Sequence, residues 1–268
     1  MARRDGSRGR LTPAERDEYE EDLIAVSDRE LDLIGDVRGL DVLYAGGASP
    51  LWLEGLSLRV GRRGTVTALD HDREKVEGAR ELLEDADLEA PVHLYAGDVF
   101  EPPFAPSSFD LVYSAGLFHE LDVSEGTAGE ALAALAGLVR PGGRLATSDF
   151  VDTLPAVQLE DEDLDRALAR ALSGSELYGI GPPERLVALH ESLLEGVAWT
   201  VSPPRHIRHL DGLVLAGDEP DGLRRLPATT AEGLRRRRAA LLERVRREGY
   251  TRPATLYLTG TPADRRPR

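Results

Sequence analysis

The sequence of 268 residues predicts an α/β domain built on a doubly wound, mostly parallel β-sheet. Two observations lead to this prediction. Short apolar runs alternate with helical stretches between residues 40 and 151, and glycine or acidic residues follow most of the apolar runs. Strands that alternate with helices form right-handed βαβ units, which assemble into parallel sheets. Ligands of such sheets bind outside the carboxyl ends of the strands, where these glycine and acidic residues are predicted to lie.

The predicted strands of this region are short runs rich in Val, Leu and aromatic residues, bounded by turn-forming or charged residues. They are predicted at residues 40–46, 65–70, 92–96, 109–114 and 144–151, with helices at 50–60, 72–86 and 124–139. The first of these helices begins at Ser49-Pro50, where serine is a favourable N-cap and proline fits the first helical position. A turn at residues 140–143 precedes the fifth strand.

Further elements are predicted on both sides of this region. Thr12-Pro13 is a helix start signal, and the helix that follows is expected to end near Gly35. After residue 152 the regular alternation stops. The elements predicted there are helices at 159–172, 183–196 and 231–248, a stretch rich in proline and glycine between 202 and 230, and a final strand at 255–259.

Composition excludes several classes of function. The net charge of −15 argues against a nucleic-acid partner bound by phosphate neutralisation. The absence of cysteine excludes disulfides, thiolate metal sites and cysteine nucleophiles. Lys75 is the only lysine and lies in a charged stretch, which excludes a P-loop. With no apolar leader and no long apolar run, we expect a soluble cytoplasmic protein without membrane contact.

The turns after the first two strands carry residues suited to a nucleotide-like ligand. Gly46 and Gly47 allow a ligand to approach the backbone next to the helix that begins after Ser49. Asp70 ends the second strand, where a carboxylate can accept both hydroxyls of a ribose. The alternatives are an ordinary tight turn for the loop and a helix cap for Asp70, with His71 as a neighbouring candidate.

The turns after the third and fourth strands carry the remaining candidates. Asp98 is placed to accept a hydrogen bond from an exocyclic amine while Val99 packs on the ring; a turn aspartate is the alternative. Tyr113 and Ser114 are candidate lining residues, although packing within the strand also explains the tyrosine. His119 is the candidate base, because its pKa suits neutral pH, and a packing or helix-start residue is the alternative.

Together these motifs resemble the class I S-adenosylmethionine-dependent methyltransferases, particularly the ubiquinone/menaquinone-type group. The matching segments follow the family's order: the glycine loop at 42–50, the acidic strand at 65–70, the Gly-Asp motif at 96–100, the fourth-strand segment at 109–121 and the Pro-Gly-Gly turn at 138–145. The resemblance implies a Rossmann-like sheet of seven strands with a helical insertion after strand five. It also implies S-adenosylmethionine as cofactor and methyl transfer to a small molecule.

The resemblance assigns roles to the candidate residues. Asp70 would hold the ribose, with His71 beside it, and Asp98 and Val99 would hold the adenine. The methionine end would lie against the glycine loop. The loop residues and the supporting polar group after the fourth strand are Gly46, Gly47, Ser49 and Ser114. Methyl transfer mostly requires alignment of the acceptor, and His119 would act as base only for an acceptor that is protonated.

The glycine loop departs from the family pattern. Tyr44 stands where the family has an acidic residue, and Ala48 and Pro50 replace its second and third glycines. The missing carboxylate removes a partner for the cofactor's ammonium group, and proline removes a backbone donor. Two alternatives therefore stay open: a non-catalytic binding or regulatory module with this fold, and a nicotinamide-dependent oxidoreductase. The absence of a G-x-G-x-x-G motif counts against the oxidoreductase.

Composition and the pattern of elements, together with the resemblance, divide the chain into segments. They are a disordered tail (1–12), an N-terminal helical lid (13–38), the cofactor-binding core (39–151), an insertion forming the acceptor pocket (152–228), the final helix and strand of the core (229–261) and a second disordered tail (262–268). The oligomeric state is not predicted.

Two other motifs have simpler interpretations than a binding site. His206-x-x-His209 followed by Asp211 suggests a metal site, but the flanking arginines favour an ordinary surface segment, and no metal is predicted. The arginine run 235–238 lies in a predicted helix and is interpreted as a solvated face, with an anionic partner as the alternative.

Overall fold

The computed structural model describes residues 11–123, 126–151, 155–174, 179–217 and 219–263. The strands are β1 (Asp41–Ala45), β2 (Thr65–Asp70), β3 (Val92–Ala96), β4 (Phe109–Ala115), β5 (Val139–Val151), β6 (Leu194–Ser202) and β7 (Ala254–Pro262). They form one sheet in the order β3-β2-β1-β4-β5-β7-β6. The first five strands pair in parallel, and β7 is antiparallel to both β5 and β6. The predicted seven-stranded, mostly parallel sheet is confirmed.

The helices lie between and before these strands. They are α1 (Pro13–Asp32), α2 (Pro50–Val60), α3 (Arg73–Leu83), α4 (Thr127–Gly137), α5 (Ala156–Ser173), α6 (Pro183–Leu193), α7 (Leu210–Ala216) and α8 (Ala228–Glu248). The start of α1 follows from its sequence: the Thr12 side chain accepts from the Glu15 amide at 3.4 Å, and the Glu15 carboxylate accepts from the Thr12 amide at 2.9 Å. This reciprocal pair is a capping box. None of the described helices is long and apolar enough to cross a lipid bilayer.

Both faces of the sheet are covered. On one face, Leu31 of α1 and Leu53 of α2 pack against Val42 and Tyr44 of β1. On the other face, α4 and α6 pack against strand residues such as Leu43. Alternate residues of β1 therefore bury opposite faces, which is the origin of its continuous apolar run.

A third apolar cluster lies outside the sheet and joins α5, α7 and α8, which we call the helical cap. Its buried members are Val157, Leu164, Val214, Leu223, Leu234, Leu241 and Val245. The position of α8 differs from the sequence-based division, which assigns this helix to the core. Its buried apolar residues, such as Leu234, Leu241 and Val245, pack against α5 and α7.

The sheet also contains an edge strand that the sequence pattern did not predict. β6 lies within the stretch interpreted as an insertion, and it begins inside the helix predicted at 183–196, so that α6 ends at Leu193. β6 lies at the edge of the sheet and pairs with one neighbouring strand. Much of it is exposed to solvent, and Trp199 is 48% exposed. A strand of this kind has no strong apolar alternation for sequence analysis to detect.

Two other boundaries differ from the prediction. The turn predicted at 140–143 lies within β5, where a register shift opposite Phe109 accommodates it. Of the two predicted tails, residues 1–10 and 264–268 lie outside the described residues. Thr12 and Pro262, which were assigned to those tails, belong to the α1 cap and to β7.

A buried histidine links α6 to the sheet. His190 Nδ1 lies 2.8 Å from the Leu186 carbonyl, which can only accept, so Nδ1 carries the proton of the neutral ring. Nε2 then accepts from the Thr147 hydroxyl at 2.9 Å. Burial lowers the pKa of His190 to about 4. The ring is therefore neutral in the folded protein at pH 7.

This burial predicts an acid-sensitive stability. Below about pH 6.5 the unfolded chain binds a proton at His190 and the folded chain does not, down to about pH 4. The free energy of unfolding should therefore fall by about 1.4 kcal/mol per pH unit from this group as the pH drops through that window. Urea unfolding at pH 7, 6 and 5 measures the slope. His190→Gln should flatten it, whereas replacing the exposed His93 by Gln should not; equal slopes in all three proteins would contradict the assignment.

Candidate functional site

The predicted site residues collect at one edge of the sheet. Because β1 to β4 are parallel, the residues that follow them lie on the same side. These residues are Gly46, Asp70, Asp98 and His119. β7 runs in the opposite direction, so the segment before Ala254 reaches this edge as well.

The glycine loop is held to β2 by its own backbone. The amides of Gly46 and Gly47 both donate to the Leu69 carbonyl, at 2.8 and 3.2 Å. These two donors are therefore used internally. The Ser49 side chain makes no capping hydrogen bond, which leaves the first-turn amides of Leu51 and Trp52 as the donors that the start of α2 offers.

Tyr44 fills the space beneath this loop. Its ring is buried and stacks on Tyr113 with a centroid distance of 5.8 Å. A Cβ atom at Gly47 would lie 2.5 Å from the Tyr44 hydroxyl oxygen, so the tyrosine explains why this loop position has no side chain. Burial, followed by the charges of Tyr113 and Asp70, raises the pKa of Tyr44 far above its usual range. The hydroxyl is therefore neutral and remains a hydrogen-bond donor.

Asp70 combines burial with one open carboxylate oxygen. The residue is 3% exposed, and its Oδ1 accepts from the Asp72 amide at 2.8 Å. Within the described chain Oδ2 has no hydrogen-bond partner, but it is not sealed off from solvent. A ligand can therefore reach it. His71 is exposed, with Nδ1 3.6 Å from Asp70 Oδ1. The dedicated cap of α3 is Asp72, which leaves Asp70 available to a ligand.

Asp98 and Val99 follow β3 as a polar and an apolar neighbour. Asp98 is exposed, and its Oδ1 accepts from the Phe100 amide at 2.9 Å, which fixes the turn. Val99 is buried in the core cluster on the α4 side of the sheet. Asp98 thus leaves one carboxylate oxygen free, while the Val99 side chain packs into the core.

Ser114 is turned away from the glycine loop. It is buried, and its hydroxyl donates to Thr147 at 3.4 Å, in the same network that contains His190. Tyr113 faces the other side: its hydroxyl lies 2.9 Å from that of Ser148 and accepts from Trp52 Nε1 at 3.3 Å. The structure brings Tyr113, but not the Ser114 hydroxyl, toward the loop.

His119 is bound to a carboxylate that the sequence analysis did not identify. Asp149, at the end of β5, is 1% exposed and accepts four hydrogen bonds. Its Oδ1 accepts from His119 Nδ1 at 2.9 Å and from the Phe150 amide at 2.8 Å. Its Oδ2 accepts from the amides of Phe118 and His119, at 2.7 and 3.3 Å. A polar residue near the end of an apolar strand was the signal available in the sequence.

This arrangement sets the protonation of His119. Burial opposes the charged ring, but the charge of Asp149 and its hydrogen bond outweigh burial, and the pKa of His119 is raised. Because the carboxylate only accepts, Nδ1 keeps its proton in the neutral ring. Nε2 then carries the lone pair and has no partner in the described chain, so it can accept a proton from a ligand.

The sequence analysis also missed three polar residues near this edge, Glu162, Arg252 and Glu30. Glu162 on α5 lies within electrostatic reach of His119, and burial raises the pKa of its carboxyl. Arg252 precedes β7 and donates to Glu30 of α1. Each residue comes from a segment remote in sequence from the motifs, so spacing gave no signal for it.

The segment that suggested a metal site makes ion pairs instead. His209 Nε2 lies 2.7 Å from a Glu18 oxygen, and Arg208 donates to Asp22 at 2.8 Å, which ties the cap to α1. Within the described ranges no cluster of three His, Asp or Glu side chains is arranged to hold a metal ion. A cavity of about 460 Å³ is lined by His206, Arg208 and His209 and contains none of the loop or strand-end residues.

Comparison with known proteins supports a relationship over the first half of the sheet. Residues 42–143 match the family model of a methyltransferase domain. Over 111 residues the chain is 31% identical to a demethylmenaquinone methyltransferase from Desulfitobacterium hafniense (strain Y51). This match covers 41% of the chain and 42% of the relative, so the chain aligns with less than half of that protein's length.

Solved structures show the same fold over a longer stretch. The YcgJ protein from Bacillus subtilis gives a TM-score of 0.58 at 17% identity, covering 90% of this chain and 99% of that one. A phosphoethanolamine N-methyltransferase 2 from Haemonchus contortus, solved with phosphomonomethylethanolamine and S-adenosylhomocysteine, gives 0.56 at 14% identity. That match covers 89% of this chain and 53% of the other. At these identities the likeness establishes the fold.

The contact between Tyr44 and Gly47 predicts a steric effect of substitution. Gly47→Ala would place a Cβ atom 2.5 Å from a buried ring that has no free direction to move, and should destabilise the protein by roughly 1–3 kcal/mol. Gly78→Ala on α3 is the control, since nothing lies within 4 Å of its Cβ, and it should be neutral or stabilising. Urea unfolding measures both. In a Tyr44→Val background the cost of Gly47→Ala should shrink; an unchanged cost would refute the contact.

Proposed function

We propose that this chain, whose residues 42–143 match the family model of a methyltransferase domain, transfers a methyl group from S-adenosylmethionine to a small-molecule acceptor. The observation that carries the catalytic part of this proposal is the His119–Asp149 pair. It lies at the carboxyl edge of the sheet, next to the loop that matches the family's cofactor loop. A histidine held by a carboxylate in this way is suited to proton removal.

The residues at this edge fit the cofactor. The accessible oxygen of Asp70 suits a ribose hydroxyl, and the exposed Asp98 offers an acceptor for the exocyclic amine of an adenine. The first-turn amides of α2 and the neutral Tyr44 hydroxyl offer donors near Gly47, which suit a carboxylate better than an ammonium group. These donors compensate in part for the loss of the carboxylate that the family has at the position of Tyr44.

The cofactor supplies an electrophilic methyl group on a sulfonium. His119 accepts through Nε2 the proton of an acceptor hydroxyl or amine, and Asp149 holds the ring in the required tautomer and stabilises its charged form. Arg208, which precedes α7 of the cap, pairs with Asp22 and so ties the cap to α1. We propose that they enclose the acceptor and exclude water, as the 13–38 and 152–228 segments are expected to do.

A non-catalytic binding module is the second candidate. The buried Tyr44 and the missing amide of Pro50 favour it, because both remove groups with which the family holds the methionine end of the cofactor. The two candidates differ in one observable: only the methyltransferase turns over an acceptor in the presence of S-adenosylmethionine.

Cofactor binding is tested by calorimetric titration with S-adenosylhomocysteine, S-adenosylmethionine and NAD. We expect both adenosyl ligands to bind and NAD not to bind. Asp70→Ala should weaken binding by roughly 10- to 100-fold, because it removes hydrogen bonds to a charged acceptor. Asp72→Ala is the matched control: it removes the α3 cap and lowers stability but leaves the Asp70 carboxylate in place. Absence of adenosyl binding by the folded wild-type protein would sink the proposal.

The base is tested by histidine titration in NMR spectra. We expect the His119 ring to titrate above the ordinary value of about 6.5 and to titrate lower in Asp149→Asn, because that variant removes the charge that raises the pKa. Since the neutral ring is the active form, turnover should fall as the pH drops through the folded pKa. With an acceptor identified by screening, His119→Ala should reduce kcat by about 10²- to 10⁴-fold. A titration that Asp149→Asn does not move would refute the pairing.

A further inference from the structure

Arg252 reaches the ligand edge from the far end of the chain. It lies between α8 and β7, and its backbone pairs with that of Arg205. Its guanidinium lies over the Phe150 ring at 4.8 Å and the Trp52 ring at 5.8 Å. Flanking by two aromatic rings lowers the exposure of the side chain to 17% and fixes the direction in which the planar group points.

The partner of this guanidinium uses only one side of it. Glu30 of α1 is 3% exposed, and its Oε1 accepts from both Nε and Nη2 of Arg252, at 3.2 and 2.7 Å. An arginine has five N–H donors in a fixed fork, so three remain. Within the described chain Nη1 has no acceptor, and it is not sealed off from solvent. A ligand can therefore reach it. The end of the fork is therefore open to a ligand.

The position of Arg252 joins the two halves of the candidate site. Trp52 lies in the first turn of α2, directly after the glycine loop, and donates to Tyr113. Phe150 follows Asp149, and its ring lies 5.6 Å from that of His119. The guanidinium thus stands between the loop and the His119–Asp149 pair, and lies closer to the ring on the His119 side.

We propose that Arg252 determines acceptor specificity by binding a carboxylate of the acceptor, while the group to be methylated faces His119. This inference rests on the proposed methyltransferase function. The open end of the fork offers parallel donors, which match a planar carboxylate better than they match a single oxygen.

The electrostatics near Arg252 favour a single negative charge on the ligand. The chain carries a net charge of −15, so an anion needs a local cation in order to bind. Glu30 already offsets part of the charge of Arg252, which favours a monoanionic carboxylate over a dianionic phosphate. Burial first, and then the charge of Glu30, raise the pKa of Tyr257 to about 12, so this neighbouring hydroxyl is neutral and adds no competing anion.

One other source of the same chemistry is the methionine carboxylate of the cofactor. The closer approach of the guanidinium to Phe150 favours the acceptor, and ligand pairs distinguish the two sources. S-adenosylhomocysteine carries that carboxylate, whereas 5′-methylthioadenosine lacks it. If Arg252 held the cofactor, changing it would weaken S-adenosylhomocysteine and leave methylthioadenosine unaffected.

The experiment compares two probes that share a phenol and differ in charge, 4-hydroxyphenylacetate and 4-hydroxyphenylacetamide. Both are titrated into the full chain with and without S-adenosylhomocysteine. We expect wild-type protein to bind the carboxylate at least roughly tenfold more tightly than the amide, as a charge-assisted hydrogen bond requires. Arg252→Lys should reduce this preference, because lysine keeps the charge and loses the fork.

Two further variants separate specificity from folding. The double variant Glu30→Gln/Arg252→Gln removes the ion pair as a unit, which avoids a buried unpaired carboxylate, and should abolish the preference. Arg59→Gln is the matched control: Arg59 is similarly enclosed and, like Arg252, pairs with carboxylates of α1, here Asp28 and Asp32, but it does not stack on Trp52 or Phe150. It should retain the wild-type preference, and thermal unfolding should show all variants folded.

Each outcome decides one question. Equal binding of the two probes by wild-type protein, or a preference that survives in the double variant, would overturn the role of Arg252. A selective loss of S-adenosylhomocysteine in Arg252→Lys would overturn it in favour of the cofactor. Failure of the wild-type protein to bind S-adenosylhomocysteine would instead overturn the proposed function, while the titration without that ligand still judges the carboxylate preference.

Discussion

The arrangement of the candidate site depends on one buried carboxylate. Asp149 accepts four hydrogen bonds from the turn after β4 and from its own strand, so every acceptor position is used. An ionised group this deeply enclosed is tolerated only when it is fully paired. Its hydrogen bonds fix the backbone of the turn and the ring of His119 at once. The position of the proposed base and its raised pKa therefore have the same physical origin.

A second constraint governs the glycine loop. The ring of Tyr44 occupies the space beneath Gly47, and both loop amides are bonded to β2, so the loop is closely packed without a ligand. This loop differs from the family's in chemistry more than in position. A neutral hydroxyl replaces a carboxylate, which changes the preferred ligand group from a donor to an acceptor. Under the proposed function, the loop would hold the cofactor through different atoms than the family's loop does.

The helical cap is joined to the sheet domain by ion pairs to α1 rather than by a shared apolar core. Arg208 pairs with Asp22 at a partly exposed position, whereas Arg252 pairs with the buried Glu30. Exposed pairs contribute little stability, while a buried pair fixes geometry, because breaking it leaves an unpaired charge. The second contact therefore fixes α1 against the segment before β7 more strongly than an exposed pair would.

The sequence by itself determined the sheet class, its first five strands and the edge at which Asp70, Asp98 and His119 meet. Apolar periodicity and turn chemistry are local properties, and contiguous residues encode them. It did not reveal β6, whose exposed edge position requires little apolar patterning, or the packing of α8 in the cap. Tertiary structure alone decided the partners of the site residues. Asp149 is 30 residues from His119, and Arg252 is 222 from Glu30. Contacts over such separations depend on how the elements pack, and no local pattern specifies them.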